Sequence, residues 1–344
     1  MSDGTDLSPP ASRLAPSLSV SFVIPLYNCL ALTQAMLASL QATLPPGLAH
    51  EIILVDDGST DGTRAWLATL APPIRVVLQE RNLGYAAANN RGASLARGEF
   101  LALLNNDLVL TTRWLEPLLA VQRQLGARAG LVGNVQREIR TGAIDHAGIF
   151  INARGKPEHE RDLPWWSWLP GAWRRSDAVT GACVVVRRSL WNELGGFDER
   201  FVNGCEDVDF CLRAAAAGRV NAVALSSRVG HHISASPGRK ARNEENTYRL
   251  ALRWRDTLVR LGLRCWCRHY LEKLGPGPLA PAEQARAWRI FCYAYHLQPP
   301  SPDVVAGMAA ALDLEMTRWQ GMFGPPSGPA RSAPLPGPRP AAAG

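Results

Sequence analysis

Residues 52–59 read Ile52-Ile53-Leu54-Val55-Asp56-Asp57-Gly58-Ser59, an apolar run that ends in acidic, glycine and serine residues. Consecutive apolar residues without polar alternation are typical of a strand that is buried on both faces. Asp, Gly and Ser suit a turn from a strand into a helix, and a helical pattern begins around Arg64. This stretch therefore predicts a parallel sheet with helices on both faces.

The same alternation recurs on either side of that stretch. We predict further strands at 20–24, 74–78 and 100–104, and a helix that carries Leu32, Met36, Leu40 and Leu44 at steps of four residues. Strands that alternate with helices predict an α/β fold with a mostly parallel central sheet. In such sheets ligands bind beyond the carboxyl ends of the strands.

Polar residues follow each of these four strands. They are Tyr27-Asn28, Asp56-Asp57, Arg81-Asn82 and Asn105-Asn106-Asp107. Each cluster taken alone is explained by turn formation or helix capping. Because the carboxyl ends of parallel strands lie at one edge of a sheet, the four clusters together predict a ligand site at that edge.

A separate acidic cluster, Glu206-Asp207-Val208-Asp209, opens a predicted helix that ends at Gly218. The helix macrodipole and the unpaired amides of the first turn favour negative charge at Asp207. A general base must be ionised before it accepts a proton, so Asp207 is a candidate base. Helix capping is the alternative explanation, and for an isolated acidic cluster it is the commoner one.

Composition narrows the class of protein. The chain has 344 residues, of which 47% are hydrophobic, a net charge of +7, and seven cysteines. An odd cysteine count in a long chain favours reduced thiols, and residues 1–18 lack the pattern of an export signal, so we expect a cytoplasmic enzyme. No basic run is interleaved with aromatic residues, which argues against nucleic-acid binding.

Seven motifs follow one another in order. They are Val23-Ile24-Pro25-Leu26-Tyr27-Asn28, residues 56–62, residues 82–92 with Asn82-Leu83-Gly84, Leu104-Asn105-Asn106-Asp107, Thr180-Gly181-Ala182, Gly195-Gly196-Phe197-Asp198 with Glu206-Asp207-Val208-Asp209, and residues 231–236. This ordered set, over residues 19–236, resembles the family 2 glycosyltransferases with the GT-A fold, a Rossmann-like α/β architecture. The narrower resemblance is to bacterial members that build O-antigen and other surface polysaccharides, including rhamnosyltransferase-like ones.

The resemblance implies a nucleotide-sugar donor, a Mg²⁺ or Mn²⁺ cofactor and inversion at the anomeric carbon. It assigns Asp207 as the catalytic base, and Asp107 and His231 as metal ligands. The donor-binding candidates are Pro25, Tyr27, Asn28, Asp56, Asp57, Asn82, Gly84 and Asn106. Among them, the Asp56 carboxylate is expected to accept a hydrogen bond from the nucleotide base of the donor. Asn105 replaces the first carboxylate of the usual metal motif, which lowers the ligand charge.

A tryptophan-rich segment lies at residues 164–173, between the metal motif and the proposed base. Trp165 and Trp166, with Glu206, are candidates for orienting the acceptor, which the resemblance implies to be a glycan or a lipid-linked glycan. Aromatic faces stack on sugars and also settle at membrane interfaces. The alternative is a loop that packs on the sheet.

We predict four regions along the chain: a disordered tail at 1–18, the GT-A domain at 19–239, a helical C-terminal appendage at 240–322, and a disordered Pro/Ala/Gly tail at 323–344. Within the appendage we expect helices at 243–261 and 283–297, the first closed by Gly262. The appendage has three candidate roles: covering the catalytic domain, pairing two subunits, or contacting a membrane.

The resulting hypothesis is an inverting, metal-dependent glycosyltransferase of surface-polysaccharide synthesis. It is cytoplasmic, and contact with the inner face of the cytoplasmic membrane is an open alternative. Two other functions are left open. A noncatalytic sugar-nucleotide-binding or scaffold protein is suggested only by Asn105. A nucleotidyltransferase would open with a Gly-rich phosphate loop carrying Lys, where this chain has Pro25-Leu26-Tyr27-Asn28.

Overall fold

The computed structural model describes residues 19–232, 242–275 and 277–324. The tail expected at 1–18, residues 325–344 of the tail expected at the other end, and residues 233–236 of the last motif lie outside this described part. Phe323, placed by the sequence in the terminal tail, is the last residue of a helix.

Twelve strands and nine α-helices are present in the described residues. In chain order they are β1 Val20–Leu26, α1 Leu30–Thr43, β2 His50–Asp56, α2 Thr63–Leu67, β3 Ile74–Leu78, α3 Tyr85–Leu95, β4 Phe100–Leu104, β5 Leu108–Leu110, α4 Leu115–Leu125, β6 Ala129–Glu138, β7 Ile144–His146, β8 Ile149–Ile151, β9 Pro157–His159, β10 Trp173–Arg175, β11 Cys183–Arg187, α5 Arg188–Leu194, α6 Glu206–Ala216, β12 Val220–His231, α7 Asn243–Lys273, α8 Pro281–Ala294 and α9 Pro302–Phe323. The predicted α/β fold with a helical C-terminal region is confirmed.

The central sheet has the strand order β10-β12-β6-β11-β4-β1-β2-β3. The four predicted strands β4, β1, β2 and β3 are mutually parallel neighbours, so their carboxyl ends share one edge. Antiparallel β11 follows β4, and it links this parallel part to β6 and β12, which are parallel to each other. The sheet is therefore mixed, and its parallel half positions the polar clusters found in the sequence.

Two apolar cores cover the two faces of the sheet. On β1, Val23 belongs to the core that also contains residues of α3, α6 and α7, whereas Phe22 and Ile24 belong to the core under α1 and α4. A strand that alternates between two apolar layers has no polar face, which explains the continuous hydrophobic runs.

The C-terminal helices pack on the sheet domain. Leu258 of α7 and Trp319 of α9 are fully buried in the same core as Val23. The Nζ atom of Lys156, just before β9, lies 3.2 Å from a carboxylate oxygen of Glu244 in α7 and 3.2 Å from one of Glu315 in α9. The appendage is thus joined to the sheet domain by both apolar and charged contacts.

The expected end of the first C-terminal helix at Gly262 is wrong, because α7 continues to Lys273. Gly262 is buried inside the helix, where an added Cβ would lie 2.5 Å from Cε of Met308 in α9. The glycine therefore permits close helix packing and does not terminate the helix. No separate helix was predicted for α9. Among the described residues, no helix has the length and apolar character needed to cross a membrane.

A first prediction concerns Gly92 in α3, which lies against β1 and β2. An added Cβ would approach Cγ1 of Val23 to 2.4 Å and Cγ2 of Val55 to 3.1 Å. We expect Gly92→Ala to lower the free energy of unfolding by about 1–3 kcal/mol, because overpacking forces the buried valines to shift. Chemical denaturation measures this change.

The matched control is Gly321→Ala in α9, where an added Cβ meets no atom within 4 Å. This substitution should leave stability unchanged or raise it by up to about 1 kcal/mol, because alanine favours helix. Equal denaturation midpoints for Gly92→Ala and the parent chain would show that α3 is not closely packed on the sheet.

Candidate active site

A cavity of about 690 Å³ opens at the carboxyl ends of the parallel strands. Tyr27 after β1, Asp57 after β2 and residues 105–107 after β4 all line it. Their convergence follows from the shared direction of the strands, as the sequence pattern predicted. The cavity volume is in the range of small-molecule binding sites.

Asp107 and Asp207 both line this cavity. Asp107 lies between β4 and β5, and Asp207 lies in the first turn of α6. The two acidic residues that the resemblance assigned to metal binding and to base catalysis are therefore at one site.

The segment Thr180-Gly181-Ala182 joins the two acidic regions. The Asn105 amide donates to the carbonyl of Ala182 at 2.8 Å, and the Gly181 amide donates to Oδ2 of Asp207 at 2.8 Å. The other oxygen of Asp207 accepts a hydrogen bond from the Val208 amide at 2.8 Å. Both carboxylate oxygens are thus fixed by backbone donors, which sets the orientation of the proposed base.

Gly181 is closely surrounded by other residues, which leaves little room for a side chain at this position. An added Cβ would lie 3.0 Å from the Tyr85 hydroxyl oxygen and 3.5 Å from Cβ of Asp207. The Tyr85 hydroxyl donates to the Gly181 carbonyl at 2.8 Å. A side chain at this position would therefore crowd both Tyr85 and the proposed base.

The two other acidic residues of α6 have different surroundings. Glu206 is buried, lines the cavity, and accepts a hydrogen bond from the Gly204 amide at 2.7 Å. Asp209 is fully buried, with Oδ2 2.8 Å from Nε of Arg213 and Oδ1 2.9 Å from Nε1 of Trp254 in α7. Asp209 does not line the cavity and connects α6 to α7.

His231 lies beside Asp107 because β12 pairs with β5, which places His231 opposite Leu108. Nε2 of His231 is 3.4 Å from Oδ1 of Asp107, and Nδ1 is 3.5 Å from Oδ2 of Asp145. The neighbouring His231 imidazole lowers the pKa of the Asp145 carboxyl, although burial opposes this shift. An ionised Asp145 orients the ring, as carboxylates commonly do for metal-binding histidines.

Asp107 and His231 suit a divalent ion in ligand type and spacing. Ligands of one such ion each lie about 2.1 Å from it, so neighbouring ligands are roughly 3 Å apart. Among the described residues, no group of three or more His, Cys, Asp or Glu side chains is arranged to hold an ion.

On the donor side, Asp57 organises the loop between β3 and α3. Its oxygens accept hydrogen bonds from the amides of Leu83 at 2.8 Å and Gly84 at 2.9 Å. Burial raises the pKa of the Asp57 carboxyl, although these hydrogen bonds oppose the shift. Gly84 has φ +96°, and its amide is held by Asp57, so the loop that carries Asn82 into the cavity is fixed.

Asp56 and Asn28 do not line the cavity. Asp56 is fully buried, and its Oδ2 is 2.7 Å from Nε of Arg64. Asn28 accepts a hydrogen bond from the Thr60 amide at 2.8 Å and so connects the loops after β1 and β2. The structure places both residues where they shape the loops around the cavity.

The remaining donor candidates, Pro25, Tyr27, Asn82 and Asn106, line the cavity. The side-chain amide of Asn106 donates to the Thr33 hydroxyl of α1 at 2.9 Å. This bond ties the metal motif to the first helix.

The structure does not bring Trp165 and Trp166 to the cavity. They lie in a short 3₁₀ helix, Trp165–Trp168, in which Trp165 is 81% exposed and Trp166 packs against the core that contains Val23. Trp165 therefore presents its ring to solvent, whereas Trp166 holds the segment on the domain.

Several cavity residues were not predicted from the sequence, among them Asp145, His159 and Arg161. Asp145 is adjacent to His146 in the chain, and nothing local indicates which of the two faces the cavity. His146 is fully buried, and burial holds its pKa well below the ordinary value. The acid beside it faces His231 only because β7 and β12 both pair with β6.

Comparison with known proteins gives a family assignment. The model of the family described as "Glycosyl transferase family 2" matches residues 21–219. The chain is 34% identical over 231 residues to the "O-antigen biosynthesis protein RfbC" of Myxococcus xanthus, an alignment that covers 63% of this chain and 17% of that protein.

A second relative is the "N-acetylglucosaminyl-diphospho-decaprenol L-rhamnosyltransferase" of Mycobacterium tuberculosis. It is 29% identical over 216 residues, which cover 55% of this chain and 68% of that enzyme. An uncharacterized protein of Sinorhizobium fredii is 30% identical over 258 residues, and the match covers 69% of this chain and 27% of that protein. This chain therefore spans only a minor part of two of the curated relatives it matches.

Among solved structures, GalNAc-T7 with UDP, GalNAc and Mn²⁺ superposes with a TM-score of 0.59 at 18% sequence identity. The match covers 83% of this chain and 60% of that one. At this level of identity the likeness establishes the GT-A fold, in agreement with the fold expected from the ordered motifs.

Proposed function

This chain belongs to glycosyl transferase family 2, and on that premise we propose that it is an inverting glycosyltransferase. The donor is a nucleotide-diphosphate sugar, and the acceptor is a hydroxyl group of a glycan or of a lipid-linked glycan. The observation that carries the proposal is that Asp107 and Asp207 line one cavity at the carboxyl edge of the parallel strands.

The reaction is a single displacement. Asp207 accepts the proton of the acceptor hydroxyl while that oxygen bonds to the anomeric carbon, on the face opposite the diphosphate. The bond from the anomeric carbon to the diphosphate oxygen breaks, and the oxygen keeps the electron pair. Because the Gly181 and Val208 amides fix the Asp207 carboxylate, the base is oriented before the acceptor binds.

Asp107 and His231 are the residues that would hold Mg²⁺ or Mn²⁺. The ion, when bound, supplies positive charge that neutralises the diphosphate leaving group. Asp107 would supply the negative charge and His231 a neutral nitrogen, whereas the neighbouring Asn105 carries no charge. Arg161 also lines the cavity and adds positive charge to it.

The donor nucleoside is proposed to bind against Pro25, Tyr27, Asn82 and Asp57. Gly84 lets the backbone pass close to it, and Asn106 lies between the donor and α1. Asp56 and Asn28 act as positioning residues, because the Arg64 ion pair and the Thr60 hydrogen bond hold the loops that carry the pocket. Glu206, buried beside Asp207, is proposed to orient the acceptor.

The names of two relatives support a role in surface-polysaccharide synthesis. One is an O-antigen biosynthesis protein, and the other acts on a sugar attached to diphospho-decaprenol. A lipid-linked acceptor of that kind would place the reaction at the inner face of the cytoplasmic membrane. A hexose or a deoxyhexose is the proposed class of transferred sugar.

We predict that Asp207→Asn keeps donor binding and lowers kcat by about 10²–10⁴, because an amide cannot accept the acceptor proton. Thermal-shift screening with UDP-, dTDP- and GDP-sugars identifies the donor, and calorimetry and a transfer assay then measure binding and turnover. Asp256→Asn is the control, since the Asp256 side chain is 96% exposed on α7. Near-normal transfer by Asp207→Asn would remove Asp207 from this role.

We predict that Asp107→Ala abolishes the part of donor affinity that depends on Mn²⁺, because it removes the carboxylate of the proposed metal motif, which lies 3.4 Å from Nε2 of His231. Calorimetric titration of the donor with and without Mn²⁺ measures this part, and Asp256→Ala serves as the control. If Mn²⁺ strengthens donor binding equally in the parent chain and in Asp107→Ala, the metal site is wrongly assigned.

Membrane contact is proposed through the 3₁₀ helix Trp165–Trp168, since Trp165 is 81% and Trp168 is 68% exposed. Tryptophan settles at the interface between water and lipid. Replacing Trp165 and Trp168 with Ser should reduce co-sedimentation with anionic vesicles several-fold. Trp288→Ser on α8, 64% exposed, is the control. The proposal fails if the parent chain does not sediment with vesicles or if the double variant sediments equally.

A further inference from the structure

A second cavity, of about 450 Å³, lies between the sheet domain and α7. Four arginines line it: Arg174, Arg175, Arg219 and Arg260. Two acidic residues, Glu160 and Asp177, line it as well. Four guanidinium groups against two carboxylates give the cavity an excess of two positive charges. Such an excess in a concave surface attracts anions.

Two of the four arginines form close contacts with other groups of the protein. Arg174 donates to the Ala147 carbonyl at 2.8 Å, and Arg219 lies 3.1 Å from Glu193. Within ranges 19–232, 242–275 and 277–324, no carboxylate lies at ion-pair distance from Arg175 or Arg260, and both residues are exposed. The positive charge of Arg260 nevertheless acts on the Asp177 carboxyl and lowers its pKa, against the larger effect of burial. Two guanidinium groups at the rim are therefore available to a ligand.

The rest of the wall is mostly apolar, and its uncharged polar residues are Ser176, Asn221 and Thr257. The apolar part includes Phe150 of β8, Leu212 of α6, and Trp254 and Leu261 of α7. A guanidinium group matches a phosphate with two parallel hydrogen bonds, and apolar side chains favour a hydrocarbon or aromatic group beside it. The combination suits a phosphate ester better than an uncharged sugar or a bare hydrocarbon.

We propose that this cavity is a second ligand site, which binds a phosphate-bearing ligand through Arg175 and Arg260 and is separate from the cavity that contains Asp107 and Asp207. Ile149 of β8 lines both cavities, so the two sites share a wall. The phosphate comes either from an acceptor that extends from the first cavity or from a free phosphate compound.

The second cavity is physically connected to the proposed base. Trp254 lines the cavity and donates to Oδ1 of Asp209 at 2.9 Å, and Asp209 lies on α6 two residues after Asp207. Helix α7 is interrupted at Trp254, which has non-helical φ −120° and ψ 21°. Trp254 thus connects the wall of the second cavity to the helix that carries Asp207. The role of Asp207, unlike the binding site, rests on the proposed function.

The test titrates hexyl phosphate and inorganic phosphate into the full chain by calorimetry, without a sugar donor. In the parent chain we expect saturable binding of hexyl phosphate. The double variant Arg175→Ala/Arg260→Ala should bind it at least about tenfold more weakly, since hydrogen bonds from a charged guanidinium group to a phosphate are among the stronger ones in proteins. Arg268→Ala is the matched control, because Arg268 is exposed on α7 and lines neither cavity.

Two further variants make the result specific. Asp107→Ala should bind hexyl phosphate as the parent chain does, because Asp107 lies in the first cavity. Arg175→Lys/Arg260→Lys keeps the charge and should bind with intermediate affinity, which separates loss of charge from damage to the fold. Thermal melting of every variant accompanies the titrations.

The two probes distinguish the two sources of phosphate. Hexyl phosphate binding at least about tenfold more tightly than inorganic phosphate identifies a ligand with an apolar part, whereas equal affinities identify a free phosphate compound. The site is disproved if neither probe binds saturably, or if binding survives in Arg175→Ala/Arg260→Ala. Loss of binding in Asp107→Ala with retention in the double arginine variant would assign the probe to the donor cavity.

Asp177 supplies an independent readout. Burial raises the pKa of the Asp177 carboxyl to about 6, so the carboxyl becomes neutral as the pH falls below that value. Glu160 is then the one charged acidic residue among those that line the cavity, and binding of hexyl sulfonate, whose charge is constant, should tighten between pH 7.5 and pH 5. Asp177→Asn should remove this pH dependence, and an unchanged pH dependence in that variant would contradict the geometry.

Discussion

The site depends on one backbone segment, Thr180-Gly181-Ala182, which connects the sheet to the helix that carries the proposed base. Its Ala182 carbonyl accepts a hydrogen bond from the Asn105 amide, and its Gly181 amide donates to the Asp207 carboxylate. The first bond continues the antiparallel pairing of β11 with β4, so the segment is held by the register of the sheet. Two acidic residues far apart in the chain are thereby given a fixed spatial relation.

The buried cluster around Asp209 extends this constraint to the C-terminal helices. Asp209 is fully buried between Arg213 of its own helix and Arg253 and Trp254 of α7. Removing one member of a buried ion pair leaves an uncompensated charge, which costs about 3–5 kcal/mol. Helix α7 therefore supports the helix that carries the proposed base, and it also forms part of the wall of the second cavity.

Periodicity and turn chemistry predicted the four parallel strands and the polar edge at their carboxyl ends, because both signals are local. The prediction for Gly262 was wrong because a glycine in a helical sequence has two explanations: it ends the helix, or it lets a neighbouring element pack closely. The contact with Met308 of α9 shows that the second explanation applies, and Met308 is distant in the sequence. Asp56 and Asp57 are adjacent and chemically alike, yet Arg64 binds one and the amides of Leu83 and Gly84 bind the other. Nothing local in the sequence separates them.

The sequence by itself determined the fold class, the family and the list of candidate residues. The alternation of apolar runs with helical patterns and the order of the motifs can both be identified directly from the order of the residues. The tertiary structure decided which candidates share a cavity, that Asp145 lies beside His231, and that four arginines from β10, the loop before β12 and α7 line a second cavity. Those relations arise from strand pairing and helix packing between distant segments. Hydrogen bonds and burial across such distances leave no periodic trace in the sequence.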